Sequence, residues 1–134
     1  MLMAVLKTAF RPIASLALRA LAFLIEIMLR VIGVRSTYRL LLYLSPDPSS
    51  DRSPFPERQM VNLICSIFGS RTDKCLRRAL LIWWALRWRR VDTDVHFSHD
   101  GVRGHAWVVW NDIIIADSQD LSAARSMGSF RRLF

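Results

Sequence analysis

Cysteine is scarce in this 134-residue chain: Cys65 and Cys75 are the two it has. That excludes a disulfide scaffold, and no CxxC or Cys/His spacing of a zinc site occurs, so a metal centre is not expected and a reducing compartment is. Glycine and proline are also few, five of each, which excludes collagen-like and low-complexity chains. Lysine is nearly missing. Lys7 and Lys74 are two of 19 basic residues, leaving 17 arginines against 11 acids and a formal charge of +8. Such a balance suggests an acidic partner, but it speaks to association rather than to fold. A clean apolar run is missing at the start as well: Lys7, Arg11 and Arg19 interrupt it, and no small-residue cleavage site follows. The N-terminus therefore reads as retained cytoplasmic sequence rather than as a signal peptide.

What is present is apolar bulk, 52% of the chain, too much for a disordered protein. A chain of this length holds one domain, or one compact domain with a helical extension, and buries roughly two-thirds of its unfolded surface. The greasiest zone runs from about Thr8 to Leu44. Arg19, Glu26 and Arg30 recur there at steps of seven and four, so they share one helical face, while Leu16, Leu21, Leu24, Ile25, Met28 and Ile32 crowd the rest. These charges argue against a membrane span, which needs about 20 nearly uncharged residues. An amphipathic helix is predicted instead, ending at Gly33 as a C-cap, with a second short helix from Ser36-Thr37 to Leu44. The expectation is a helical hairpin packed on the domain; an interfacial helix that contacts a membrane peripherally or docks a partner is the rival.

Residues 45–56, SPDPSSDRSPFP, hold four of the prolines and form a linker. Two helical patterns follow, Glu57 to Phe68, carrying Met60, Leu63, Ile64 and Ile67 on one face, and a long one from about Thr72 to Arg89. The period then changes: Thr93, Val95 and Phe97 alternate with polar neighbours, SHDGVRG supplies a turn, and residues 105–110 and 113–117 are β-rich runs flanking Asn111-Asp112. The order predicts an α+β fold, with an amphipathic helical segment (1–44), the linker (45–56) and a core (57–134) in which helix covers one face of an antiparallel sheet.

Cys75 falls at the start of the long helix, behind Thr72 or Asp73 as N-cap. Helix N-termini and neighbouring cations such as Lys74, Arg77 and Arg78 are settings that favour a thiolate. Against this stands the ordinary role of a free cysteine, a small buried hydrophobe. His105 opens a strand directly after a turn, where a side chain can reach toward a helix start. Asp117 ends the next strand, and for it to stand opposite His105 the loop must be centred on residue 111, hence odd in length, three residues with a bulge. A two-residue Asn111-Asp112 turn would set Ser118 there instead. Asp112 is the rival carboxylate, but it lies at the hairpin tip, on the order of 20 Å from His105 at ~3.3 Å per residue. Cysteine, histidine and aspartate so arranged are the parts of an activated thiol nucleophile: His105 takes the Cys75 proton and later protonates a leaving amine, Asp117 fixes the imidazole, and backbone N–H groups at the helix start stabilise an oxyanion.

The run Cys75-Leu-Arg-Arg-Ala-Leu-Leu-Ile-Trp-Trp-Ala-Leu-Arg-Trp-Arg-Arg, then His105-Ala-Trp-Val, then Ile115-Ala-Asp117, resembles the transglutaminase-like leader peptidases of lasso-peptide biosynthesis, the microcin-processing family. The Arg-interrupted apolar N-terminus and the proline linker fit the same layout, so the resemblance covers essentially the whole chain. It implies a papain/transglutaminase-like core with Cys75 as nucleophile, His105 as base and Asp117 as orienting acid. It also implies a function: cutting the leader from a ribosomally made precursor to free the core peptide's N-terminal amine. The implied partners are the precursor, a stand-alone leader-recognition protein, for which this chain has no room, and an asparagine-synthetase-like cyclase. The cyclase, not this chain, uses ATP, and no cofactor is bound directly.

Other features carry blander readings. Trp83, Trp84 and Trp88 among Arg87, Arg89 and Arg90 could stack on nucleic acid, but Ala79, Trp83 and Leu86 are expected in the core beside Cys75, with the arginines at the helix end and no nucleic-acid partner. His96 and His99 read as surface histidines, Cys65 as a packing residue near Ile64 and Phe68, and Gln59 as a candidate oxyanion donor. Two alternatives to the peptidase stand: a non-catalytic maturation factor that docks a partner or membrane, and an enzyme that uses its acyl thioester for amide exchange.

Overall fold

A computed structural model describes residues 2–49, 51–68, 75–99, 104–115 and 128–134. Helix α1 (Leu2–Val31) is followed at once by α2 (Gly33–Tyr43). Gly33 has φ +81°, the left-handed backbone that ends one helix and lets the chain double back. The second helix thus begins three residues earlier than Ser36. Thr37 does not cap it; the Thr37 hydroxyl lies inside α2 and donates to the Gly33 carbonyl at 2.7 Å, which keeps a fully buried hydroxyl bonded.

Among its described residues the proline-rich segment forms no helix or strand before a 3₁₀ turn at Phe55–Glu57, yet it is fastened to the domain. The Ser49 N–H donates to the Arg90 carbonyl at 2.8 Å, and Ser49 bridges Val91 in parallel. Helix α3 (Arg58–Phe68) buries Val61, Ile64 and Phe68, a spacing of three and four that gives it one apolar face. Cys65 packs beside that face.

Helix α4 (Cys75–Trp88) is the centre of the molecule. Ala79, Leu80, Leu81, Ile82, Trp83 and Leu86 are all buried, because α1, α2 and α3 cover it on one side and the sheet on the other. A helix apolar on all sides belongs inside. The sheet runs β3-β2-β1-β4, with β1 (Asp94–His99), β2 (Gly104–Trp110), β3 (Ile113–Ile115) and β4 (Gly128–Ser129), every pair antiparallel. Val95 pairs with Val108 and Phe97 with Ala106; these residues join the core with α4. Asp94, His96 and Ser98 with Val109, Trp107 and His105 form the other face, as the two-residue alternation requires.

A short α5 (Phe130–Leu133) closes the core from the C-terminal end. Tyr38 of α2 stacks on Trp83 at 4.8 Å and meets Phe130 edge-on at 5.5 Å, so three distant stretches of chain share one aromatic cluster. The mixed helix and antiparallel-sheet layout read from the sequence is thus observed, with Ile25, Tyr38 and Leu41 of the N-terminal helices in the same core as Trp83 and Val95.

Candidate active site

Cys75 is the first described residue of α4, half-buried, and its thiol donates to the Gly104 carbonyl oxygen at 3.5 Å. That oxygen belongs to the peptide group joining Gly104 to His105, so Cys75 meets β2 at its backbone. His105 is half-buried and pairs with Ser98 of β1. Its alternation places it on the sheet face shared with Trp107 and His96, while its neighbours Ala106 and Val108 turn inward against α4. The contact therefore forms at the end of the strand, beside the packed helix–sheet interface. Ala79, Trp83 and Leu86, the residues that follow Cys75 down the helix, are buried as the sequence reading expected.

The first turn of α4 is pinned from outside. Arg77 forms an ion pair with Glu26 of α1, and Glu26 also accepts from Arg30 at 2.7 Å. Only about a quarter of the Glu26 side chain and less of the Arg77 side chain is exposed, so water screens this pair less than a surface bridge. Sequence reading placed Glu26 on the polar side of α1 and Arg77 beside the thiol, but nothing local links residues 51 positions apart.

The β2–β3 hairpin corrects one expectation. Val108 pairs with Ile115, Val109 with Ile114 and Trp110 with Ile113, so the loop is the two residues Asn111-Asp112 and not a three-residue bulge. Both have left-handed backbones, φ 45° and 64°, the turn whose twist suits a hairpin and which Asn and Asp tolerate. This register does not itself set position 117 against 105. Asp117 lies outside the described residues, as do Thr72, Asp73 and Lys74. Asp112 is exposed at the hairpin tip.

The remaining candidates fall elsewhere. Gln59 is exposed on α3 and lines a groove shared with Phe10, Arg11 and Leu18 of α1. His96 Nε2 lies 4.0 Å from Asp94 Oδ2. Asp94 also accepts from the Arg131 backbone N–H at 3.4 Å, and Asp92 pairs with the Arg131 side chain. Burial works against the Arg131 charge, but the hydrogen bond and charge of Asp92, aided by Asp94, raise its affinity for the proton. These groups tie the C-terminal helix to β1 and were not singled out from sequence. Among the described residues no cluster of three metal-ligating side chains occurs.

A thiol at the head of a central helix thus lies against the strand that carries a histidine. The family model of the transglutaminase-like superfamily matches residues 17–129, and this chain belongs to that superfamily, which includes cysteine peptidases and transglutaminases. Comparison with curated proteins and with solved structures finds no match.

Proposed function

We propose that the chain is a cysteine endopeptidase that removes the leader from a ribosomally made lasso-peptide precursor. The observation that carries it is the Cys75 thiol set against the Gly104–His105 peptide in a chain of the transglutaminase-like superfamily. The peptide substrate rests on the resemblance of the Cys75-Leu and His105-Ala-Trp runs. In this reading His105 accepts the thiol proton as the Cys75 sulfur attacks the carbonyl carbon of the last leader residue. The tetrahedral intermediate is held by backbone N–H groups at the start of α4. Its C–N bond breaks, and His105 returns the proton to the leaving amine of the core peptide. Water, deprotonated by His105, then hydrolyses the thioester and releases the leader as a free carboxylate. The resemblance assigns Asp117 to orient the imidazole and stabilise its charged form; this role requires the chain past Ile115 to leave the β2–β3 register, which if continued sets Ser118 and not Asp117 opposite His105.

A recognition protein supplied in trans presents the leader, and an ATP-using, asparagine-synthetase-like cyclase joins the freed amine to an Asp or Glu side chain. The reaction asks for no metal and no organic cofactor on this chain. The test uses the full chain, a precursor encoded beside its gene and the partners encoded there. Mass spectrometry is expected to find free core peptide and leader carboxylate. Cys75→Ala is expected to lower the rate on the order of 10⁴-fold or more. Undiminished leader removal by that variant sinks the peptidase reading. Capture of an added amine on the leader, in place of the carboxylate, replaces hydrolysis with amide exchange.

A further inference from the structure

The stretch Phe10–Val31 of α1 is long and apolar enough to cross a membrane by length and composition, yet only 11% of its most apolar window is buried in the domain. This departs from the expectation that its charges exclude a span, because an 18-residue window there holds no more than two of them. Its exposed residues are ordered. Ile13, Leu16, Phe23, Leu24, Ile27 and Val31 recur at steps of three, four and seven, and each is between 42% and 75% exposed. At 1.5 Å per residue they draw an apolar stripe roughly 30 Å long, more than a soluble monomer ordinarily leaves to water.

The charges around the stripe are net positive. Glu26 is the one acid in α1, and it is ion-paired with Arg77 on the inner side and with Arg30 on the outer. Arg19 and Arg30 are exposed and lie along one border of the stripe, a helical step or less from Leu16, Phe23 and Ile27. The chain as a whole carries a net charge of +8. An apolar helix face edged by arginines, with the one carboxylate of the helix held in ion pairs, is the chemistry of an anionic lipid surface. The opposite face of α1 is occupied. Ala22 and Ile25 are buried in the domain core, and Glu26 holds the first turn of the thiol helix. Crossing the bilayer would strip both from the domain, whereas lying in the interface leaves them untouched.

We infer that α1 lies flat in the headgroup region of an anionic membrane with this stripe buried, placing the Cys75 helix at the membrane surface. The inference stands without the peptidase reading, since its readout is binding. Vesicles of equal parts phosphatidylglycerol and phosphatidylcholine are expected to sediment the full chain. Pure phosphatidylcholine should do so far more weakly, and binding should fall as salt is raised. The triple variant Leu16→Glu, Phe23→Glu, Ile27→Glu is expected to lose more than tenfold in vesicle binding while its thermal melt and circular dichroism stay native. Arg19→Glu, which touches no core contact, is expected to lose about fivefold or more on the anionic vesicles alone. Unchanged binding by both variants overturns the inference. So does a chain that ignores vesicles but is a dimer dissolved by the triple substitution, since the stripe then pairs with a second copy. Retention through an alkaline carbonate wash overturns the flat orientation in favour of a span.

Discussion

Two helices of this protein are rich in apolar residues, and they are used in opposite ways. Helix α4 is interrupted by Arg77, Arg78 and Arg87, yet seven of its residues are buried, Arg78 among them. Helix α1 is the more apolar of the two and leaves most of its apolar side in water. Burial here follows position rather than apolar content: α4 lies between a sheet and three helices, while α1 lies on the outside with one covered face. The apolar residues that a fold of this size requires are supplied by α4, β1, β2 and the inner face of α1. The excess on the outer face of α1 contributes nothing to that core.

The comparison breaks first at Trp83 and Phe23. Trp83→Ala removes a buried ring that stacks on Tyr38 and is expected to cost about 3–5 kcal/mol in chemical denaturation. Phe23→Ala, at 64% exposure, is expected to stay within about 0.5 kcal/mol. Similar losses at both sites would mean that α1 is as deeply packed as α4.

The link between the two helices is a smaller target. Glu26→Gln keeps the size of the side chain and removes the charge facing Arg77, which leaves a cation largely shielded from water. A cost of about 1–2 kcal/mol is expected, discounted for the part of the pair still exposed. A double cycle with Arg77→Met should recover most of it, and full additivity of the two substitutions would show that the pair is not coupled.

The smallest effect concerns pH. Burial raises the phenol pKa of Tyr38 above its ordinary value of 10.0, and the charge of Asp94 adds to the rise. Below about pH 10 the phenol is protonated in both folded and unfolded chains and contributes no pH dependence. Above it the unfolded chain releases the proton and the folded one holds it, so stability falls, by at most about 1.4 kcal/mol per pH unit. Tyr38→Phe is expected to melt with a shallower alkaline decline. Parallel declines in the two proteins would remove Tyr38 as the cause.

Much of this contrast was legible in the sequence, and the failures have physical reasons. Helix α3 was readable to its last residue, but its inward face was not: Met60, Leu63, Ile64 and Ile67 satisfy the helical period as well as Val61, Ile64 and Phe68, and it is the latter three that are buried. Ala79, Trp83 and Leu86 were readable as core from their helical period. The β2–β3 loop was misjudged because opposing Asp117 to His105 demands an odd loop, whereas Asn111 and Asp112 reach left-handed φ and close in two residues. Local turn chemistry prevailed over the arrangement that the site favoured. The meeting of Cys75 with Gly104 follows from placing a helix start beside a strand start, and residue types alone do not report it. The Glu26–Arg77 pair and the Asp92–Arg131 pair span long stretches of chain, and no periodicity encodes them.

The proline-rich segment carries a mechanical consequence. Ser45 Oγ accepts from Arg87 at 2.7 Å and the Ser49 N–H donates to the Arg90 carbonyl, both at the far end of α4 from Glu26 and Arg77. The helix that bears the thiol is therefore clamped near both ends to the N-terminal third of the chain. Any tug on α1 is shared between two anchor points some 20 Å apart, at about 1.5 Å per residue, and is resisted as a couple, so that the segment acts as a girth strap and not as a hinge.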